Sequence, residues 1–313
     1  MKRMITVALA SMMLLTFSTA MAASPSVNFD GSVLTQYRWD DAGANSLTGG
    51  KIFLRLNANA QISDDVSLYT RFAAEGLTGD KIGNDFDKGY YSNSSATTID
   101  RWGIIIKGKD FTYKVGRQDG ALGQGLIYDS TGYMGINEAA LDGLIAWGKS
   151  GDTNLTFVVT KVWAASGPTL PAYAIDASSS PAKGWKWGGT LARLGGDVDT
   201  NYWAINTAYT DGKATFGGEY GQSNNASQNK GYALSVNHSF DNKNSAYLIY
   251  SRVEANASMA GFTAYDSNGK GIYYGLDHKI TKDSTISLFY KDMKTVDTGE
   301  KSTSLRTTFT YKF

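Results

Sequence analysis

The sequence predicts an all-β protein: an antiparallel up-and-down β-barrel that crosses a membrane with its strands. Three observations predict it. First, the twelve residues from Ser302 to Phe313 alternate strictly. Leu305, Thr307, Phe309, Tyr311 and Phe313 fall on one face of an extended chain, and Ser304, Arg306, Thr308, Thr310 and Lys312 on the other. Period-two alternation marks a strand with one dry and one wet face. Second, similar segments recur along the whole chain. Third, the connections between them alternate between short and long, as in a barrel with tight turns on one side of a membrane and larger loops on the other. A soluble sandwich has no reason to keep its long loops at one end.

The chain opens with Lys2 and Arg3, an apolar stretch from Met4 to Phe17, and Ser18-Thr19-Ala20-Met21-Ala22. A basic start, an apolar core and a small-residue cleavage site together predict a signal peptide over residues 1–22, removed after Ala22. Residues 23–313 are then the barrel domain. The apolar stretch is shorter than the roughly 20 residues a helical span needs, and no later run approaches that length. Membrane insertion therefore falls to strands, which must close on themselves to satisfy their backbone groups.

Composition narrows the function. Removing Lys2 and Arg3 from 30 basic residues leaves 28 against 29 acidic ones, far from the basic footprint of a nucleic-acid binder. Cysteine is absent, so no disulfide, thiolate or cysteine–metal chemistry is available. The four prolines avoid the candidate strands: Pro25 precedes the first, and Pro168, Pro171 and Pro181 share one presumed loop.

The predicted strands are Gly31–Asp40, Lys51–Ile62, Val66–Glu75, Thr98–Gly108, Phe111–Gln118, Ala140–Lys149, Asn154–Val162, Asn201–Tyr209, Lys213–Gly221, Lys230–Phe240, Ser245–Val253, Gly271–Ile280, Ser284–Lys291 and Ser302–Phe313. They number fourteen, an even count that keeps both termini on the short-turn side. Trp185–Gly195 also alternates, inside the longest presumed loop. If Leu170–Ala177 pairs with it, the count becomes sixteen. Fourteen is the preferred count and sixteen remains open.

Signal peptide, aromatic-ended alternating strands, loop asymmetry and a terminal Phe313 together resemble the Gram-negative outer-membrane porins. The most motif-like stretch is Tyr113-Lys114-Val115-Gly116-Arg117-Gln118-Asp119-Gly120, closing the fifth strand and opening a long loop. In general porins the third external loop likewise leaves the fifth strand, folds into the lumen and narrows it. Here that loop would be Asp119–Glu138, carrying Asp119, Asp129 and Glu138. The resemblance implies an outer-membrane channel for passive diffusion of small hydrophilic solutes and ions, with no catalysis and no cofactor. It implies outer-membrane lipid and lipopolysaccharide as surroundings and an assembly machinery that reads Phe313. A homotrimer is one assembly open to it.

Arg38, Arg55, Arg71, Arg101 and Arg117 occur one on each of the first five strands. All but Arg117 fall on or at the end of the wet face, and Lys107 and Lys114 add to the same wall. Arg117 shares the parity of Tyr113 and Val115, so it needs a bulge or a strand end to turn inward. A basic residue facing lipid at mid-membrane costs about 2–4 kcal/mol, so the ladder belongs in the lumen. The expectation is a constriction in which this wall faces Asp119, Asp129 and Glu138 on the inward loop. The plainer alternative is that the arginines pair with Glu75, Asp100 and Asp142 and stiffen the barrel.

Aromatic residues near strand ends read as interfacial girdles. Trp163, Tyr173, Trp185 and Trp187 cluster in or beside the longest presumed loop, where they either pack that loop or stack on sugar rings. That second option keeps a substrate-specific channel, for instance for oligosaccharides, as the alternative function. A barrel enzyme or adhesin has less support. Only His238 and His278 are present, and no serine context suggests a triad.

Overall fold

The structure, a computed structural model, describes residues 26–42, 45–79, 95–132, 139–164 and 169–313. The predicted signal peptide lies outside them. In chain order the strands are β1 (Val27–Ala42), β2 (Asn45–Gln61), β3 (Val66–Gly79), β4 (Ser95–Lys107), β5 (Phe111–Gln118), β6 (Ala121–Leu122) and β7 (Tyr128–Asp129). There follow β8 (Ala139–Ser150), β9 (Thr153–Ala164), β10 (Leu170–Ser179), β11 (Trp185–Leu194), β12 (Thr200–Asp211), β13 (Ala214–Ser223) and β14 (Lys230–Ser239). The last are β15 (Asn244–Val253), β16 (Gly269–Lys279), β17 (Ser284–Thr295) and β18 (Lys301–Lys312).

All but β6 and β7 join one closed antiparallel barrel of sixteen strands. The barrel closes where β1 pairs with β18, from Ser32 opposite Lys312 to Ala42 opposite Ser302. Gly31 N–H donates to the Phe313 carbonyl at 2.9 Å, and Phe313 N–H donates back to the Gly31 carbonyl at 3.1 Å. The larger of the two strand counts is therefore realised. The extra pair is β10 and β11, joined in register from Ala172 opposite Leu194 to Ser179 opposite Trp187. Pro171 is tolerated because it is the second residue of β10, close to the strand end.

Register fixes which side chains face out. Directly opposed residues in an antiparallel pair share a face. Leu305 opposes Trp39 and Tyr290, and Phe309 opposes Thr35 and Ile286. With Leu234, Leu248, Leu276 and Ile205, these form an exposed apolar exterior suited to hydrocarbon. The alternate positions, Ser304, Arg306 and Thr308 among them, face the interior.

The two ends differ. Tight connections at residues 62–65, 108–110, 151–152, 180–184, 212–213, 240–243 and 280–283 all lie at one end. The connections containing 119–132 and 254–268 lie at the other. Asp241 shows how a tight turn is held: its Oδ1 accepts the Lys243 and Asn244 N–H groups, both at 2.7 Å. Side-chain acceptance of this kind substitutes for a backbone turn bond.

Candidate pore constriction

The inward loop begins where β5 ends. Residues 119–132 form a small hairpin in which Ala121 opposes Asp129 and Leu122 opposes Tyr128. Leu122, Leu126, Ile127 and Tyr128 are all buried. Leu122, Ile127 and Tyr128 pack on Leu141, Ile145, Val158, Val162, Ala172, Ala174, Ala192 and Tyr202. Strands β8 to β12 thus carry apolar or small residues on their inner face as well as their outer one. Each large apolar side chain buried in this way contributes about 2 kcal/mol. The loop lies across the lumen because that inner face is apolar there.

Polar contacts anchor the tip. Glu219, on β13, accepts Gln124 N–H at 3.0 Å with one oxygen and Leu126 N–H at 2.9 Å with the other. Gly123 N–H donates to Asp176 on β10 at 3.0 Å, and Gln124 Nε2 donates to the Thr207 carbonyl at 2.9 Å. Gly123 has φ +61, and a Cβ there would lie 2.2 Å from a Glu219 oxygen. Only glycine permits that approach. A second loop, 254–268, braces the first: Met259 N–H donates to Ile127 O at 2.8 Å and Ala264 N–H to Gly125 O at 2.9 Å. Tyr128 meets Phe262 edge-on at 6.1 Å.

The root of the loop is an ion-pair cluster. The register of β3 and β4 shifts between Arg71 and Phe72, leaving Asp100 as the unpaired residue of a bulge. Arg71 donates to both Asp100 oxygens, at 2.8 and 2.7 Å, and through its remaining nitrogen to Asp119 at 2.8 Å. Arg101 Nε donates to the other Asp119 oxygen at 2.7 Å. Burial works to raise the Asp119 pKa, but Arg101 and Arg71 outweigh it and hold the carboxyl below its ordinary range.

The sequence-predicted residues therefore separate into groups. Arg71, Arg101 and Asp119 come together in direct contact, not across a gap, and Arg71 also holds Asp100. Arg38 is inward and buried, beside Asp40 at 2.5 Å. Arg55 is inward with its guanidinium over Phe53 at 4.9 Å, and the Lys114 ammonium lies over Tyr69 at 4.2 Å. Asp129 lines open lumen and accepts Thr131 N–H at 2.6 Å. Glu138 lies outside the described residues. Phe313 faces outward at the short-turn end, 51% exposed and stacked on Tyr311 at 6.2 Å.

Arg117 corrects the expected ladder. The pairing of β5 runs without a bulge through Tyr113, Val115 and Arg117, so Arg117 keeps their outward parity. It opposes Trp102, which is 53% exposed, and Asp142. Two bonds of 2.8 Å join it to that carboxylate, and the guanidinium lies over Trp163 at 4.6 Å. Neutralisation by Asp142 offsets the cost of the outward charge. The tryptophans of the presumed long loop are strand residues as well. Trp185 packs on Tyr209 at 4.7 Å near the short-turn end, and Trp187 is 57% exposed on the outer face.

The larger open space in the lumen lies on the other side of the inward loop. A space of about 600 Å³ is lined by Lys51, Lys291 and Arg306 from the wall and by Asp129 and Asp266 from the two loops. Tyr247, Tyr265, Tyr273 and Phe289 line it too. Lys291 Nζ donates to Asp266 at 2.6 Å, and the Arg306 guanidinium lies over Phe289 at 5.0 Å. The wet-face parity of Arg306 was legible in the last strand. Nothing local in the sequence signals that Asp266, in loop 254–268, reaches the lumen.

No protein-family model matches the chain, and no curated protein matches it in sequence. Solved structures do match in shape. A double mutant of the Rh. blastica porin superposes with a TM-score of 0.61 at 11% identity, covering 92% of this chain and 100% of that one. A triple mutant of the Rhodopseudomonas blastica porin gives 0.59 at 11% identity with the same coverage. A further match, described as concerning asymmetric conductivity of engineered proteins, gives 0.60 at 12% identity. A likeness this deep in shape and this shallow in sequence speaks for architecture: the chain has the porin fold, a closed barrel of sixteen antiparallel strands.

Proposed function

We propose that the protein is an outer-membrane channel through which small hydrophilic solutes and ions diffuse passively. The observation that carries this reading is the passage of about 600 Å³ beside the inward loop, with cations on its wall and Asp129 and Asp266 on its loops. Charged side chains lining a narrow lumen order water and select ions. Lipopolysaccharide around the barrel, recognition of Phe313 during assembly and association into trimers belong to the same proposal. The test is single-channel recording in planar bilayers. Purified protein gives discrete conductance steps, and Lys291→Gln with Arg306→Gln moves the reversal potential towards cation preference. Protein that folds in detergent yet shows no steps would leave a barrel enzyme or adhesin as the better account.

A substrate-specific channel for sugars keeps one supporting observation. Tyr247, Tyr265, Tyr273 and Phe289 line the passage, where ring faces can stack on pyranose rings. Saturable block of conductance by an oligosaccharide, lost in Tyr265→Ala, would favour it over general diffusion.

A further inference from the structure

The outer face of β15 to β18 carries a row of cations at the long-loop end of the strands. Arg252 stands directly opposite Lys270, Lys270 opposite Lys294, and Lys294 opposite Lys301. All four share the outward parity of the apolar and aromatic residues below them. Tyr232 stands level with the row, opposite Arg252, and packs on Tyr250 at 6.0 Å; below Ile272, Asp292 and Thr303 come Tyr274 and Tyr290, also at 6.0 Å.

Directly opposed side chains have Cβ atoms about 5 Å apart, and like charges in such positions repel. Internal compensation is partial. Glu254 pairs with Arg252 at 3.0 Å. Asp292 faces outward opposite Ile272 and Thr303, diagonal to the row, and Asp297 and Glu300 lie in the exposed turn above. Among the described residues, no carboxylate comes within 4 Å of Lys270, Lys294 or Lys301. Three adjacent strands thus hold three ammonium groups in one line with no carboxylate in contact, above an aromatic band at the edge of the apolar surface.

We propose that this rim binds a phosphate-bearing lipid of the outward leaflet. Its phosphates sit on Lys270, Lys294 and Lys301, with Arg252 at the end of the row. Its acyl chains run down over Tyr250, Tyr274, Tyr290 and Leu305. The assignment of leaflet rests on the outer-membrane reading above. Amphiphile geometry distinguishes this from capture of a free anion, because the cations and the apolar band share one face and are separated only by the Ile272, Asp292 and Thr303 layer.

The test uses the full barrel in neutral detergent, titrated with fluorescent lipid A and read by anisotropy. Lys270→Gln with Lys294→Gln weakens binding about thirtyfold, from a factor of about five per basic residue at an anionic surface. Lys243→Gln with Lys282→Gln removes the same charge at the opposite rim and leaves affinity unchanged. Without lipid, the Lys270/Lys294 variant melts no lower than the wild type, since its substitutions relieve repulsion. Equal loss in both double variants, a lower lipid-free melting point, or equal stabilisation by inorganic phosphate alone would each overturn the proposal. Conductance of the same preparations is recorded alongside. Absent channel steps would sink the channel reading without touching the binding result.

Discussion

Arg71 and Arg101 stand directly opposite each other on the inner faces of β3 and β4, with the carboxylates of Asp100 and Asp119 between them. Two guanidiniums at that spacing would repel in an aqueous lumen. The β4 bulge supplies one counter-charge and the loop root supplies the other. The inward loop is therefore tied to the wall by the same residue that makes the arginine pair tolerable.

Removing that residue has two expected consequences. Asp119→Ala lowers stability by about 1.5–3 kcal/mol, the range for a charge-assisted hydrogen-bond set. It also uncovers positive charge at the loop root and shifts ion selectivity towards anions. Thermal unfolding in detergent and reversal potentials check the two separately. A variant with wild-type values in both would show that the clamp contributes nothing.

The sign of the Asp119 shift sets an acid limit. A carboxyl with a depressed folded-state pKa stabilises fully above its ordinary value, about 4, and loses that contribution as pH falls through the lower folded value. The loop root is expected to stay protected from proteolysis at pH 5 and at pH 4.5, and to loosen only in stronger acid. Cleavage within residues 119–132 at pH 5 would contradict this.

At the other end of the loop, Glu219 is the critical acceptor. Glu219→Ala leaves the Gln124 and Leu126 N–H groups without their partner and costs about 1–3 kcal/mol locally. The expected record is a larger conductance with more open-channel noise. Unchanged conductance would mean that the apolar contacts of Leu122 and Tyr128 hold the tip unaided.

Gly275 controls the position of a passage-lining ring. A Cβ at residue 275 would lie 2.0 Å from the ring of Tyr247. Gly275→Ala must therefore push that ring aside, into the space it lines, and single-channel conductance should fall. Adding Tyr247→Ala should restore it. A Gly275→Ala channel with wild-type conductance would refute the steric account.

Much of the architecture was legible because lipid and water impose opposite demands on alternate residues. The last strand and β1 to β5 could be read in their correct parity. Strands β10 and β11 were harder, since Ala172, Ala174, Ala192 and Leu194 face the apolar side of the inward loop and blur the alternation. The inward placement of Arg38, Arg55, Arg71 and Arg101 was equally legible, because burying a charge against lipid is costly. Their partners were not. Asp119 could be placed on the inward loop but not against two arginines, because side-chain pairing depends on the shear of the sheet and on a bulge at Asp100. Nor does local sequence reveal that loop 254–268 supplies Asp266 to the passage.

The seam between Gly31 and Phe313 means that every strand in the ring has two hydrogen-bonded neighbours. Peeling away any one of them would leave two rows of unsatisfied N–H and C=O groups in hydrocarbon. Partial opening is thus nearly as unfavourable as complete dismantling. Such a cylinder should withstand heat and detergent up to a sharp limit and then fail as a whole.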